Sequence, residues 1–419
     1  MTRRSSSDIF MASPKIITSA DRESGQVNKA ARMATDPAGA EVIDLTIERI
    51  VPRGLGIGFA DGLTVFVPLA ATGDRLRVEL TQQKKKIAFG RIVEVLEPSP
   101  DRQTPPCKYF GECGGCDFQQ MNYPAQLAAK RSIVADALRR VGKIDVGEVE
   151  VVASPNPLGY RGRARWQVRG SLIGYFRRES HDVIDIEQCP ILTPKLNEGL
   201  SAVREQAERR SLRTNEIEAA ADVEKYVLST ANGDAALLEC GALGFRYKFR
   251  ATSFFQANAL LIESLVTFAT DGFTGSKAID LYCGVGLFTL PLAKRFDAVI
   301  GVEGADASIE LARSNAVDNG ISNAEFVQSS VKSFVGSRSA RDVDLILLDP
   351  PRSGTEKGTI ERIVELRPKA ISYVSCDPSM LARDLRMLVD AGYVLDDLKA
   401  FDLFPQSHHV ETVAKLRLN

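Results

Sequence analysis

The chain has 419 residues, with 53 Lys plus Arg against 54 Asp plus Glu and seven cysteines. That length exceeds one ordinary core and predicts two or three domains, while the balanced charge excludes a molecule drawn as a whole to polyanions, so any nucleic-acid site must be local. No apolar run approaches the roughly 18–20 residues of a membrane span, no hydrophobic secretion segment follows the first residues, and the sparse, odd cysteine set excludes a secreted disulfide scaffold; a soluble, cytoplasmic protein with reduced thiols is expected.

Residues 1–41 are rich in Ser, Ala, Thr and charge, hold a second possible start at Met11 and predict a disordered leader. Over 42–98, alternating segments such as Ile43-Asp44-Leu45-Thr46-Ile47 and Leu63-Thr64-Val65-Phe66-Val67 are broken by Gly54, Gly56, Gly58, Gly62 and Gly73, the rhythm of a small β-barrel. A Pro-containing stretch, 98–106, leads to a cysteine segment and a helix over 123–141. In 161–178 six arginines occur without an acid; on a strand, period two puts Arg161, Arg163, Arg165 and Arg169 on one face and Ala164, Trp166 and Val168 on the other. That face predicts phosphate contacts, with a solvated charged strand as the plainer alternative. Trp166, Phe118 and Tyr123 are candidates to stack bases, although Trp166 is more simply core. From about 251, strands at 278–282, 298–303, 324–328, 345–349 and 370–375 alternate with helices such as 308–319 and 359–366, which predicts a doubly wound parallel α/β sheet.

Three strand ends in that sheet carry chemistry. Asp280-Leu281-Tyr282-Cys283-Gly284-Val285-Gly286 is a glycine turn between a strand and a helix over 287–295, and Glu303 ends the next strand about 20 residues on, where ribose hydroxyls are bound. Its Cys-Gly-x-Gly spacing favours S-adenosylmethionine over a dinucleotide. The strand Leu345-Ile346-Leu347-Leu348 runs into Asp349-Pro350-Pro351-Arg352, and Asp349 and Arg352 are placed to position cofactor and base. Cys376, in Ser375-Cys376-Asp377-Pro378, sits where a strand should end, at the ligand-binding edge. Uracil C5 is a poor nucleophile; a thiolate adding to C6 makes C5 electron-rich, and a base then removes the C5 proton. Cys376 is the candidate nucleophile, and Glu411, in His409-Val410-Glu411-Thr412-Val413, the candidate base. An ordinary strand glutamate would look the same, and His408 or His409 could serve instead.

These residues occur in a recognisable order. With Ser253-Phe254-Phe255-Gln256-Ala257-Asn258, Asp280-Leu281-Tyr282-Cys283-Gly284, Asp349-Pro350-Pro351-Arg352, Ser375-Cys376-Asp377-Pro378 and His409-Val410-Glu411-Thr412, the chain resembles the RNA 5-methyluridine (uracil-C5) methyltransferase family, in particular its iron-sulfur branch acting on 23S ribosomal RNA. The resemblance runs from about residue 42 to the C-terminus. It implies a multidomain protein: a TRAM-type, OB-like barrel (42–98), a central α+β RNA-binding domain with an iron-sulfur cluster (107–250) and a Rossmann-like class I methyltransferase domain (251–419). It further implies that Gln256, Tyr282, Glu303 and Asp349 bind S-adenosylmethionine, that Cys376 is the nucleophile and that Glu411 accepts the proton. Leu287 and Ser329-Ser330 depart from the family pattern near the adenine.

Cys107, Cys113 and Cys116 have spacing Cys-x5-Cys-x2-Cys, with Cys189 far downstream. Spacing alone fits a four-thiolate [4Fe-4S] cluster or a structural zinc equally; the resemblance implies the cluster. The substrate implied is RNA, 23S rRNA ahead of tRNA, with the uridine in a loop or flipped out. A noncatalytic RNA-binding iron-sulfur protein is the alternative of another class, and no membrane or protein partner is inferable.

Overall fold

A computed structural model of the protein describes residues 41–209, 212, 214–230, 236–337 and 340–419. The expected leader lies outside them, Glu41 apart. In chain order the elements are β1 (Val42–Val51), β2 (Leu55–Ala60), β3 (Leu63–Pro68), β4 (Arg75–Lys84) and β5 (Ile87–Glu97); α1 (Tyr123–Ala137), β6 (Glu150–Val152), β7 (Arg163–Arg169), β8 (Leu172–Phe176), β9 (Val183–Asp185) and α2 (Pro194–Glu208); β10 (Glu216–Ala221), β11 (Tyr226–Ser229), β12 (Leu238–Ala242), β13 (Phe245–Phe249) and α3 (Ile262–Thr270); then β14 (Gly275–Leu281), α4 (Thr289–Leu292), β15 (Phe296–Glu303), α5 (Asp306–Asp318), β16 (Ala324–Gln328), α6 (Val331–Val335), β17 (Leu345–Leu348), α7 (Thr359–Leu366), β18 (Ala370–Ser375), α8 (Pro378–Asp390), β19 (Tyr393–Phe401) and β20 (Glu411–Leu418).

The alternating segments of the first 60 described residues close into a barrel, β1-β2-β3-β5-β4, with Ile43, Leu45, Ile47, Val65, Val67, Leu76 and Val78 filling it. Inward apolar and outward polar residues alternate along β1, as period two demands. Arg49 of β1 reaches Asp136 of α1 at 3.2 Å and ties the barrel to the rest of the chain.

The large sheet has the order β16-β15-β14-β17-β18-β20-β19-β6. β14 to β18 are parallel, and the central β17, Leu345–Leu348, is apolar and buried throughout, as a strand covered on both faces demands. The sheet is not parallel throughout: β20 wedges antiparallel between β18 and β19. The two strands are joined by residues 402–410 without a crossover helix, as an antiparallel pair allows. At the far edge β6 adds a parallel strand, Glu150–Val152 against Lys399–Phe401.

The segment expected as a central domain, 107–250, does not pack as one body. β6 belongs to the large sheet, and Val134, Ala137 and Leu138 at the end of α1 pack into the same core as Ile346, Ile371 and Leu385. The β12–β13 hairpin packs against the opposite side of that sheet, with Phe249 stacked on Phe255 at 4.4 Å between centroids. What remains separate is the five-stranded sheet β11-β10-β7-β8-β9 with α2, built around Trp166. The helix expected over 287–295 forms only as α4, where Pro291 lacks an N–H and limits extension of the turn.

Candidate active site

The glycine turn follows β14. Tyr282, Gly284 and Gly286 all have positive φ (64°, 54° and 92°), so the chain folds back tightly beneath a bare backbone surface. Nothing lies within 4 Å of where a side chain on Gly284 would start, whereas one on Gly286 would meet Leu290 at 3.0 Å. The first glycine therefore leaves open space and the second permits close packing. Glu303, ending β15, accepts from the N–H groups of Gly284 (3.2 Å) and Ala305 (2.8 Å), which fixes its carboxylate at the rim of that space. Asp280 is fully buried; the Thr289 hydroxyl donates to its Oδ2 at 2.5 Å, while Oδ1 has no hydrogen-bond partner among the described residues. Burial above all, with Asp349 and Glu303 adding repulsion, pushes its carboxyl up to about 8. The Tyr282 ring packs on the α6–α8 side of the sheet, and burial, then nearby Glu356, raises its hydroxyl to about 12.

The two departures in this region have structural uses. Leu287 is buried and its carbonyl accepts from the Tyr247 hydroxyl at 3.2 Å. The Ser330 hydroxyl caps α6 by accepting from the N–H of Ser333 at 3.2 Å.

Cys376 and Glu411 come together through strand register. The last β18–β20 pair is Ser375↔Thr412, so one residue further Cys376, just past β18, stands beside Glu411, which opens β20 and pairs with Phe401 of β19. Asp377 caps α8, accepting from the N–H groups of Ser379 (2.8 Å) and Met380 (3.1 Å), and Pro378 takes the first helical position; this turn leaves Cys376 partly exposed between strand and helix. Asp349 follows β17 on the adjacent strand and keeps some accessible surface, yet burial and then the Glu411 carboxylate push its carboxyl well above the usual range. Glu411 is buried, and its Oε1 has no hydrogen-bond partner among the described residues. Burial raises its carboxyl to about 7, against the pull of Arg352. Burial also pushes the Cys376 thiol up to about 12, reinforced by Glu411 and opposed by Arg352. His409 is held neutral, its pKa brought down to about 3 first by burial and then by His408.

Gln256 is buried in the segment 250–258 between β13 and α3, while its neighbour Phe254 is 67% exposed. The Arg163 guanidinium shapes this segment: it donates to the carbonyls of Ala251 (2.8 Å) and Ser253 (2.5 Å), and Gly162 N–H donates to Ala257 O at 2.8 Å. The arginine-rich face is therefore not the free cationic surface expected. Alternation along β7 holds, but Arg165 pairs with Glu216 and Glu218, Arg177 with Glu112 and Arg178 with Asp117. Trp166 and Phe118 are fully buried, and the Tyr123 hydroxyl accepts from Ser154 N–H at 2.7 Å, so these rings do not form the expected stacking platform.

Cys107, Cys113, Cys116 and Cys189 are all free thiols and line one cavity of about 260 Å³. Burial, then mutual repulsion, raises Cys116 to about 12; burial raises Cys189 to about 11, against the N–H groups of Ile191 and Leu192. Among the described residues no group of three or more His, Cys, Asp or Glu side chains is arranged to hold a metal ion. The four thiols thus ring a space rather than close on one centre. Arg352 and His409, near Glu411, line the same cavity.

The family model for tRNA (uracil-5-)-methyltransferase matches residues 191–418, more than half of the chain. The chain belongs to the tRNA (uracil-5-)-methyltransferase family. It is similar to an uncharacterized RNA methyltransferase of Thermosynechococcus vestitus (35% identity, covering 89% of this chain and 97% of that one) and to another of Halalkalibacterium halodurans (32%, covering 90% and 97%). Among solved structures it is similar to the Pyrococcus abyssi tRNA (uracil-54, C5)-methyltransferase in complex with S-adenosyl-L-homocysteine, at 27% identity and a TM-score of 0.71 over 89% of this chain and all of that one. Membership in the uracil-5-methyltransferase family makes the protein an enzyme acting on RNA. Four polar residues beside this methyltransferase site were not anticipated from sequence: Gln126, Lys130, Asp402 and Gln406. Their signal was present, since Gln126 and Lys130 stand four apart on α1 and share one face with buried Ile133 and Ala137.

Proposed function

We propose that the protein transfers a methyl group from S-adenosylmethionine to C5 of a uridine in 23S ribosomal RNA, with Cys376 as nucleophile and Glu411 as base. The observation that carries this reading is the register that brings a thiol just after the end of β18 beside a buried carboxylate at the start of β20, whose Oε1 has no hydrogen-bond partner among the described residues. S-adenosylmethionine supplies an electrophilic methyl on a sulfonium centre. Open space above Gly284, the Asp280 Oδ1 without a partner among the described residues and the rim carboxylate of Glu303 suit a ligand with a cationic centre and sugar hydroxyls; Gln256, Tyr282, Glu303 and Asp349 are assigned to hold it.

In the reaction Cys376 adds to C6 as its thiolate, having released its proton to solvent; the resulting C5 enolate takes the methyl as the sulfonium S–CH3 bond breaks and S-adenosylhomocysteine leaves; the C5 proton then passes to the Glu411 carboxylate, and the sulfur–C6 bond breaks to restore the ring and the thiolate. The raised carboxyl of Glu411 suits a group that must accept a proton and release it near neutrality. Exposed Phe254 offers a ring to an unstacked base.

The cysteine cavity supports assignment to the iron-sulfur branch. Four thiols around a space of about 260 Å³, with the backbone N–H groups of Ile191 and Leu192 favouring the thiolate form of Cys189, suit a multinuclear [4Fe-4S] cluster held by Cys107, Cys113, Cys116 and Cys189. Mapping 5-methyluridine in ribosomal and transfer RNA from cells with and without the protein tests the substrate. Loss of one 23S rRNA position is expected; loss confined to tRNA contradicts the branch, and no loss contradicts the reading.

A further inference from the structure

The segment 402–409 forms all but the last residue, Val410, of the connection from β19 to β20, which begins at Glu411. It carries no regular structure, yet every residue in it is buried or half-buried. Such a segment needs partners for its backbone, and α1 supplies several of them. Gln126 Nε2 donates to Gln406 Oε1 at 3.0 Å, and Gln406 N–H donates back to Gln126 Oε1 at 3.0 Å. One turn on, Lys130 donates to Phe404 O at 2.9 Å and pairs with Asp402, both side chains being fully buried. Gln406 is held at φ 69°, a left-handed conformation uncommon for a side chain of its size, and its carbonyl accepts from Asp117 (2.9 Å) and Phe118 (3.0 Å). Tyr160 donates to Pro405 O at 2.9 Å.

We propose that Gln126 and Lys130 are positioning residues for methyl transfer, holding the 402–409 strap so that Glu411 meets the target C5 proton. The inference rests on the reading of Glu411 as the base. A polar pair buried on a helix face is a poor choice for packing alone, because each group must be desolvated and matched. Here both are matched to one strap, and that strap ends at the residue whose placement the chemistry requires. Asp349, Arg352 and Cys376 face Glu411 from the neighbouring strand ends, so a displaced strap would move the carboxylate relative to all three.

The test uses the full-length protein, with iron content checked, and compares Gln126→Met and Gln406→Gly with wild type on ordinary uridine RNA. The first keeps volume on α1 and removes both bonds to Gln406; the second frees the left-handed residue. Expected are S-adenosylmethionine affinity within about twofold of wild type and a kcat about ten- to hundredfold lower. A denaturant-resistant protein–RNA species should also accumulate, because the methylated adduct waits for loss of its C5 proton. A variant that merely weakened folding would lower the melting temperature without accumulating adduct. Wild-type kcat with no accumulation in either folded variant overturns the inference, and if Gln126→Met fails to fold, Gln406→Gly decides. Glu411→Gln separates the two levels: its normal turnover would overturn the assignment of the base, whereas a dead Glu411→Gln beside wild-type Gln126→Met would overturn the strap alone.

Discussion

At the residue scale, Cys376 rests as a thiol, raised to about 12 by burial and by its carboxylate neighbour. A cation bound beside Asp349 and Glu411 stabilises the thiolate. Alkylation of Cys376 by iodoacetamide should therefore quicken at a given pH when the positively charged cofactor is added, and less so with its neutral product S-adenosylhomocysteine; equal effects of the two would contradict this. Glu411 titrates in the opposite functional sense. Its folded carboxyl is raised from 4.5 to about 7, so below that pH it is protonated and cannot accept a proton. Resolution of the methylated covalent adduct, the step that needs the Glu411 carboxylate, should rise through about pH 7 and then level. The same shift costs stability as pH climbs from the unfolded value towards 7, because the unfolded chain releases this proton more readily. Glu411→Gln should accordingly flatten part of the fall in melting temperature over that window.

At the scale of elements, legibility followed the strength of the local pattern. β16, β18 and α7 stand where alternation of buried strands and amphipathic helices placed them, at 324–328, 370–375 and 359–366. Cys376 and Glu411 were legible as strand-end residues because motif and periodicity agree there, although only the antiparallel register of β20 brings them together. The arginine face was misread because period two reports which side a residue faces and not what meets it. Glu216 and Glu218 arrive from β10, some 50 residues away, and the carbonyls that Arg163 caps arrive from 251–253. Arg163→Met should lower stability by about 1–3 kcal/mol, the cost of leaving buried acceptors without a donor. Arg165→Ala, at an exposed pair, should cost about 0–1 kcal/mol; chemical denaturation of the two variants checks the difference. Lys130→Met should cost about 3–5 kcal/mol by stranding buried Asp402, with much of that recovered when Asp402→Leu is added.

Across the whole molecule, the residues expected to form three successive domains share packing instead. The end of α1 and β6 complete the methyltransferase layer, and Arg163 of the smaller sheet holds the segment that carries Gln256 and Phe254. The cysteine cavity is bounded on one side by that smaller sheet and on the other by Arg352, Phe404 and His409, so a group bound there would bear on the wall that supports the candidate site. Anaerobically purified protein should be coloured, with about four iron atoms per chain, and should lose thermal stability when the iron is chelated; a colourless protein carrying one zinc would contradict the cluster. Nothing in sequence spacing could have shown this sharing of a wall, because the strap that makes it lies about 280 residues from its partner Gln126.

The central claim is a transient bond between Cys376 and C6 of the target uracil. Substrate RNA carrying 5-fluorouridine tests it most directly, since fluorine at C5 cannot be removed as a proton and the adduct cannot resolve. Incubation with cofactor, digestion and mass spectrometry should yield a peptide in which Cys376 carries a methylated fluorouridine nucleotide. Methyl transfer to uridine by Cys376→Ala at the wild-type rate, with no such peptide from the wild type, would contradict it.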